Sequence, residues 1–176
     1  MYPIIYLGIV GAGGRFVGSN PGSTTQELVH MLNLTSPRFI LVSPTHLPNI
    51  LQATTSLSVP IPTTNIFIFD TPHDPSSTPP GFQSWKELLK HEKGSWKDFT
   101  DAKSSKNTIA SLFATSGTTG LPKVAAVSHH ASIARCIASY DPIPKEYSVT
   151  RLTCLPMFHG VAATASHIGK HCLSLL

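Results

Sequence analysis

Short apolar runs alternate with amphipathic segments along the first 70 residues. Residues 38–42 (RFILV) and 65–70 (NIFIFD) are continuous apolar stretches, which are typical of strands buried on both faces of a parallel sheet. Residues 46–57, between them, have the length and polarity of a helix. This alternation predicts an α/β fold in which right-handed βαβ units build a parallel sheet.

The segment before the first of these strands carries helix start and stop signals. Residues 24–27 (TTQE) have the spacing of a capping box, in which a hydroxyl and a glutamate satisfy each other's backbone donors. Leu28, Met31 and Leu32 follow on one helical face. Pro37 cannot continue a helix, so we expect the helix to end before it.

Residues 4–14 (IIYLGIVGAGG) form an N-terminal apolar run that is too short to show whether its periodicity is helical or that of a strand. The run fits either a buried helix or a strand and turn. A dinucleotide-binding turn would need glycine at Phe16 and an acidic residue at Ser43, so we disfavour a flavin or NAD site. No Lys or Arg precedes the run, and it is too short to span a bilayer. A buried helix is therefore favoured over a signal peptide.

The remaining chain reads as a loop-rich connector followed by further short elements. Residues 71–107 form the predicted connector, which contains one short helix at 85–91 and an exposed polar stretch at 93–107. Beyond it we expect strands at 109–114, 124–127 and 150–154, and helices at 131–140 and from 161 to 167.

Residues 114–130 (ATSGTTGLPKVAAVSHH) concentrate glycines, hydroxyls and a single lysine between two apolar runs. Glycines let backbone N–H groups turn inward, hydroxyls add donors, and Lys123 supplies a point charge, which together suit a phosphate or oxyanion cradle. A polar hairpin loop is the alternative. The Walker pattern is excluded because Pro122 precedes the lysine and Val124 stands where a hydroxyl is needed.

Charge and cysteine content narrow the function classes. A formal net charge of +4 suits anionic nucleotides, but no Lys/Arg cluster marks a nucleic-acid-binding face. Cys136, Cys154 and Cys172 are widely spaced, form no C-x-x-C pair, and are predicted to be small buried residues with reduced thiols. This usage favours an intracellular protein.

Three blocks in order now carry a family resemblance. TSGTTGLPK (115–123), LPMFHG (155–160) and the glycine-rich stretch 11–32 resemble segments of the adenylate-forming (AMP-binding) superfamily. That superfamily includes acyl-CoA synthetases, 4-coumarate–CoA ligase-like enzymes and luciferases. The resemblance implies an incomplete large N-terminal domain over residues 1–176, with the C-terminal domain absent and residues 4–14 helical.

The resemblance also implies site residues. The residues expected to hold the β- and γ-phosphates of ATP are Thr115, Ser116, Gly117, Thr118, Thr119, Gly120 and Lys123. His159 matches the histidine that lines the acyl pocket and positions the carboxylate; a histidine that caps a helix start is the alternative. The family usually has glycine where Val124 stands. Val161 replaces a frequent aromatic residue, which argues against a hydroxycinnamate substrate.

Other histidines are given structural roles. His129 and His130 are expected to cap the helix after the hairpin, and His167 and His171 have helical spacing without a third zinc ligand, so no metal site is predicted.

The implied parent activity is ATP-dependent activation of a carboxylic acid to an acyl-adenylate, then thioester formation with coenzyme A, with Mg²⁺ assisting. The chain alone is expected to be an inactive internal fragment of this acid–thiol ligase. The alternative is a non-catalytic nucleotide- or pyrophosphate-binding regulatory module. A small carboxylic acid, ATP and coenzyme A are the expected partners, without nucleic acid or a membrane span. The cytoplasm or peroxisome is the expected location, although the C-terminal HCLSLL is not a peroxisomal signal.

Overall fold

The computed structural model describes residues 2–70, 78–91, 94–115, 121–138, 146–147 and 154–163. Helices α1 to α6 span, in order, Tyr2–Gly11, Thr25–Thr35, Leu47–Thr54, Ala102–Asn107, His129–Ala138 and Gly160–Ala163. Strands β1 to β6 span Phe16–Val17, Ile40–Val42, Ile66–Ile68, Gln83–Ser84, Ile109–Thr115 and Lys123–Ser128. Short 3₁₀ helices lie at Pro44–His46, Thr63–Asn65 and Trp85–Lys90.

The chain divides into two compact units, each with its own three-stranded sheet. The first unit consists of Met1–Gly18, Ser95–Thr115 and Lys123–Leu176. The second consists of Ser19–Gly94 and Ser116–Pro122.

The second unit contains the βαβ layers that the sequence predicts. Its strand order is β2-β3-β4 with all neighbours parallel, and Ile40 pairs with Ile66. All three residues of the central strand β3 are buried, because side chains cover both faces of the sheet. The core combines strand and helix residues: Leu28, Ile40, Val42, Leu47, Ile50, Ala53, Ile66 and Ile68. The predicted parallel α/β architecture is therefore confirmed.

Helix α2 starts and ends at the predicted signals. The Thr24 hydroxyl accepts a hydrogen bond from the Glu27 N–H (3.3 Å), and the Glu27 carboxylate accepts one from the Thr24 N–H (2.8 Å). Ser36 adopts a left-handed conformation (φ 44°) and donates its N–H to the Leu32 carbonyl. The capping box and the stop before Pro37 are confirmed, and the helix is fixed at both ends.

An acidic residue at the end of β3 ties that strand to the following 3₁₀ helix. The Asp70 carboxylate accepts hydrogen bonds from Lys86 Nζ (2.7 Å) and Ser84 Oγ (3.0 Å), and the Asp70 carbonyl accepts one from Trp85 Nε1 (3.0 Å). The Lys86 hydrogen bond, with that from Ser84, lowers the pKa of Asp70. The predicted short helix at 85–91 is present in the tighter 3₁₀ form.

The first unit has strand order β1-β5-β6, in which β1 and β5 are parallel and β5 and β6 antiparallel. Helix α1 packs on this sheet through Tyr6, which is buried, lies edge-to-face against Phe16 and hydrogen-bonds Ser111 Oγ at 3.0 Å. The N-terminal run is thus a helix. Gly13 (φ 76°) follows that helix and helps end it, whereas a dinucleotide fingerprint needs its glycines between a strand and a helix.

In the part of the chain that the structure describes, no helix combines the length and the apolar character needed to cross a membrane.

Two expectations about local structure are wrong. The polar stretch 93–107 contains helix α4, whose first turn is capped by Asp101 accepting from the Ser104 N–H at 2.8 Å. Helix α5 begins two residues before the predicted start, and its cap is Ser128, whose Oγ accepts from the Ala131 N–H. His129 and His130 therefore belong to the first turn and do not cap it.

The cysteine prediction holds at one position and fails at another. Cys136 on α5 is buried beside Tyr6 and Phe16, as expected. Cys154 is exposed, because it precedes a surface turn instead of a buried element. Cys172, His167 and His171 lie outside the described residues, as does most of the strand predicted at 150–154.

Candidate nucleotide-binding site

The two ends of the glycine- and threonine-rich loop meet at the last rung of a β-hairpin. Thr115 ends β5 and pairs with Lys123, which begins β6, and Thr115 Oγ1 donates a hydrogen bond to the Lys123 carbonyl (3.3 Å). Both residues are exposed. Of the predicted phosphate-binding residues, Ser116, Gly117, Thr118, Thr119 and Gly120 lie outside the described residues. The structure thus places the first and last members of the predicted set side by side.

His30, which belongs to none of the predicted site motifs, hydrogen-bonds the backbone at the C-terminal end of this loop. His30 on α2 lies with its Nε2 2.8 Å from the carbonyl oxygen of Pro122, the residue before Lys123. His30 is 92 residues from Pro122 in sequence. Only the tertiary fold brings it to the loop.

The LPMFHG block, residues 155–160, packs at the carboxyl end of the first unit's parallel strands. Gly18 directly follows β1, and a Cβ built on it would lie 2.9 Å from the carbonyl oxygen of Phe158. A Cβ on Gly160 would lie 3.2 Å from the Phe113 ring on β5. These approaches place the segment around His159 beside the edge at which β5 runs into the loop, and ligands of open α/β sheets bind at such carboxyl edges.

His159 itself stands at the start of α6. Its Nδ1 accepts a hydrogen bond from the Val161 N–H (3.2 Å), while its own N–H bonds the Pro156 carbonyl (3.0 Å). The side chain is exposed. The helix-capping role weighed as the alternative is thus present, and contact with an acyl carboxylate stays a prediction.

Tyr2 on α1 lies beside Gly18 at the same edge of the sheet. A Cβ on Gly18 would lie 3.0 Å from the Tyr2 hydroxyl oxygen, and the Tyr2 ring lies edge-to-face against Phe16. Burial raises the pKa of Tyr2 to about 12, so its hydroxyl stays protonated across the physiological range.

His129, the first residue of α5, is half-buried. Its ring lies 4.0 Å from that of Phe99, and its Nε2 is buried with no hydrogen-bond partner among the described residues. Burial lowers the pKa of His129 because the charged imidazolium would lose its hydration there.

This lowered pKa predicts that stability falls on acidification. An unfolded chain takes up the His129 proton near pH 6.5, whereas the folded chain does so only at lower pH. Proton uptake therefore lowers the free energy of unfolding below about pH 6.5. This decrease stops once the pH falls below the pKa of His129 in the folded chain. Urea unfolding from pH 8 to 5 should show a shallower acid decline in His129→Phe, which keeps a ring against Phe99. Identical declines in both proteins would contradict the prediction.

Among the described ranges, no group of three His, Cys, Asp or Glu side chains could hold a metal ion.

The family profile of the AMP-binding enzymes matches residues 1–172. The chain therefore belongs to the AMP-binding enzyme family, and the predicted resemblance is confirmed.

Curated relatives agree in class. The chain is 34% identical to the acyl-CoA ligase azaF of Aspergillus niger, over 94% of this chain and 31% of the ligase. It is 34% identical to the phenylacetyl-CoA ligase epaB of Aspergillus niger, over 94% and 30%, and 36% identical to the acyl-CoA ligase ppsA of Aspergillus oryzae, over 93% and 32%. The chain thus spans about a third of the length of these relatives.

Solved structures share the fold. A red-emitting luciferase from Phrixothrix hirtus superposes with a TM-score of 0.60 at 25% identity, over 74% of this chain and 24% of the luciferase. ATP-bound MatB from Rhodopseudomonas palustris gives 0.59 at 20% identity, over 96% and 30%. The fold is therefore that of adenylate-forming enzymes.

Proposed function

We propose that this chain forms the pyrophosphate-holding part of an AMP-dependent acyl-CoA synthetase. In the whole enzyme, a carboxylate oxygen attacks the α-phosphorus of ATP, pyrophosphate leaves, and the thiol of coenzyme A then displaces AMP to give the thioester. The observation that carries the proposal is the pairing of Thr115 with Lys123, which brings a hydroxyl and a cation to the two ends of the glycine-rich loop.

The proposed role of Lys123 is electrostatic. Negative charge grows on the departing pyrophosphate as the carboxylate oxygen bonds to the α-phosphorus and the bond from that phosphorus to pyrophosphate breaks. A cation already in place stabilises that charge without reorganising. Lys123 begins a strand whose backbone is paired with β5, so its point of attachment is fixed while its side chain remains exposed. The hydroxyls and backbone N–H groups of residues 115–120 are proposed to complete the cradle.

His159 is proposed to position the acyl carboxylate. Because its Nδ1 accepts the Val161 N–H, the neutral ring carries its proton on Nε2. An Nε2–H donor suits a carboxylate or adenylate oxygen. Its place near the carboxyl edge of β1 and β5 supports this role, since the Phe158 backbone beside it closely approaches Gly18 there.

A binding-only module is the second candidate. The chain spans about a third of the length of its curated relatives, and Thr115 and Lys123, two residues of the proposed phosphate site, lie within one hairpin. We therefore propose pyrophosphate or nucleotide binding as the activity of these 176 residues, and turnover as a property of the whole synthetase. ATP–pyrophosphate exchange catalysed by the purified chain would overturn that division.

The test is a calorimetric titration of the chain with inorganic pyrophosphate and with ATP. Lys123→Ala should weaken pyrophosphate binding about 10- to 100-fold, because a hydrogen bond to a charged group contributes about 1.5–3 kcal/mol. Lys103→Ala, an exposed lysine on α4 of the same unit, should bind like the wild type. Equal binding by Lys123→Ala and the wild type would remove the lysine from the site, and no binding by either would refute the cradle.

A further inference from the structure

We propose that His30 is a positioning residue for Lys123, acting through the carbonyl group of Pro122. The inference rests on the proposed role of the loop in phosphate binding. The contact that carries it is the 2.8 Å approach of His30 Nε2 to the Pro122 carbonyl oxygen, which belongs to the peptide group entering Lys123. A carbonyl oxygen can only accept, so Nε2 is the donor and the neutral ring carries its proton there.

His30 is held on a rigid support. It lies in the middle of α2, whose start is fixed by the Thr24–Glu27 capping box and whose end is fixed by Ser36. Its neighbours Leu28 and Met31 are buried, so the helix cannot rotate about its axis without exposing them. The His30 ring is itself half-buried. A donor on such a helix can fix the orientation of the group it contacts.

Because Pro122 has a restricted backbone, the hydrogen bond to its carbonyl also fixes the backbone that enters Lys123. The Pro122 ring restricts φ to about −65°, which leaves ψ as the soft rotation between Pro122 and Lys123. The hydrogen bond from His30 fixes the carbonyl, and therefore ψ. The Lys123 carbonyl is held in turn by Thr115 Oγ1 at 3.3 Å. The carbonyl groups on both sides of the Lys123 Cα are thus hydrogen-bonded. The direction of the Lys123 Cα–Cβ bond is therefore fixed.

The experiment compares His30→Leu with His30→Gln, whose amide nitrogen lies at the position of Nε2 and can donate to the same carbonyl. Gln26→Leu is the matched control, since Gln26 is an exposed residue on the same helix. Amide hydrogen exchange of residues 115–128 is measured without ligand, and inorganic pyrophosphate is titrated into each protein.

In His30→Leu we expect exchange at the Lys123 end of the segment to accelerate about three- to ten-fold, and pyrophosphate affinity to fall by a similar factor, as for loss of one hydrogen bond. His30→Gln should stay within about two-fold of the wild type in both measurements, because it keeps the donor. Unchanged exchange in His30→Leu, or acceleration in His30→Gln equal to that in His30→Leu, would overturn the inference.

Failure of pyrophosphate binding and failure of the His30 contact give different experimental results. If the wild type binds no pyrophosphate, the function fails while the exchange comparison still decides whether His30 orders the loop end. If His30→Leu does not fold, ¹⁵N NMR of the wild-type ring decides, because a neutral ring protonated on Nδ1 cannot donate from Nε2 and would refute the contact.

Discussion

Ile68→Ala is expected to lower the free energy of unfolding of the second unit by about 2–5 kcal/mol, the cost of removing a fully buried aliphatic side chain and leaving a cavity. Ile68 has 0% exposure and lies on the central strand β3, with neighbouring strands on both sides. Helices α2 and α3 and strands β2 and β3 contribute the remaining residues of this core, so the truncation leaves a cavity in a close-packed interior. This is the largest effect we expect from a single truncation.

Trp85 provides a local probe for this measurement. Its ring lies 5.3 Å from that of Phe69, the residue after Ile68, and its Nε1 donates to the Asp70 carbonyl. In a Trp96→Phe background, Trp85 is the one tryptophan left of the two in the sequence. Urea unfolding followed by its fluorescence therefore reports the second unit.

The matched control is Leu34→Ala, because Leu34 lies on α2 of the same unit with 53% of its surface exposed. Its unfolding midpoint should stay close to the wild type, since surface substitutions usually change stability by less than about 0.5 kcal/mol. Comparable losses in Ile68→Ala and Leu34→Ala would contradict the proposed core.

Gly18→Ala is expected to destabilise the first unit by about 1–3 kcal/mol, the usual cost of forcing an extra methyl group into packed surroundings. The new Cβ would lie 2.9 Å from the Phe158 carbonyl oxygen and 3.0 Å from the Phe158 Cα. Both are backbone atoms, so relief requires the segment that carries His159 to move away from the end of β1. The substitution thus tests the placement of the candidate site as well as stability.

Gly8→Ala is the control, because it should raise the stability that Gly18→Ala lowers. Gly8 lies within α1, and a Cβ built on it meets nothing within 4 Å. Alanine should stabilise a helix interior by about 0.5–1 kcal/mol relative to glycine. Thermal unfolding should therefore raise the melting temperature of Gly8→Ala and lower that of Gly18→Ala; a shift in the same direction for both would refute the packing around Gly18.

Local signals predicted the second unit well. The capping box before α2, the apolar face formed by Leu28 and Met31, and the continuous apolar runs of β2 and β3 are properties of neighbouring residues. Strand β4 was not predicted, because Gln83 and Ser84 have no strand pattern and become a strand only by pairing with β3. Helix α4 had a usable signal in Asp101, which was hidden by the polar composition around it.

The candidate site was predictable as far as its motifs extend. The flanks of the loop and the LPMFHG block are contiguous in sequence, so their residue types identify them. The approach of Gly18 to Phe158 and the hydrogen bond of His30 to Pro122 join residues far apart in sequence. Neither contact leaves a local pattern, so both are visible only in the folded structure.

The discontinuous first unit has a consequence for the order of folding. Phe16 pairs with Ser111, so β1 and the apolar helix α1 must wait for their partner strand until β5 has been synthesised. The second unit closes sooner, because Ile40 needs only Ile66 as its partner. During synthesis, helix α1 therefore stays without its sheet for longer than β2 does, and chaperone contacts should be more frequent on α1 than on β2.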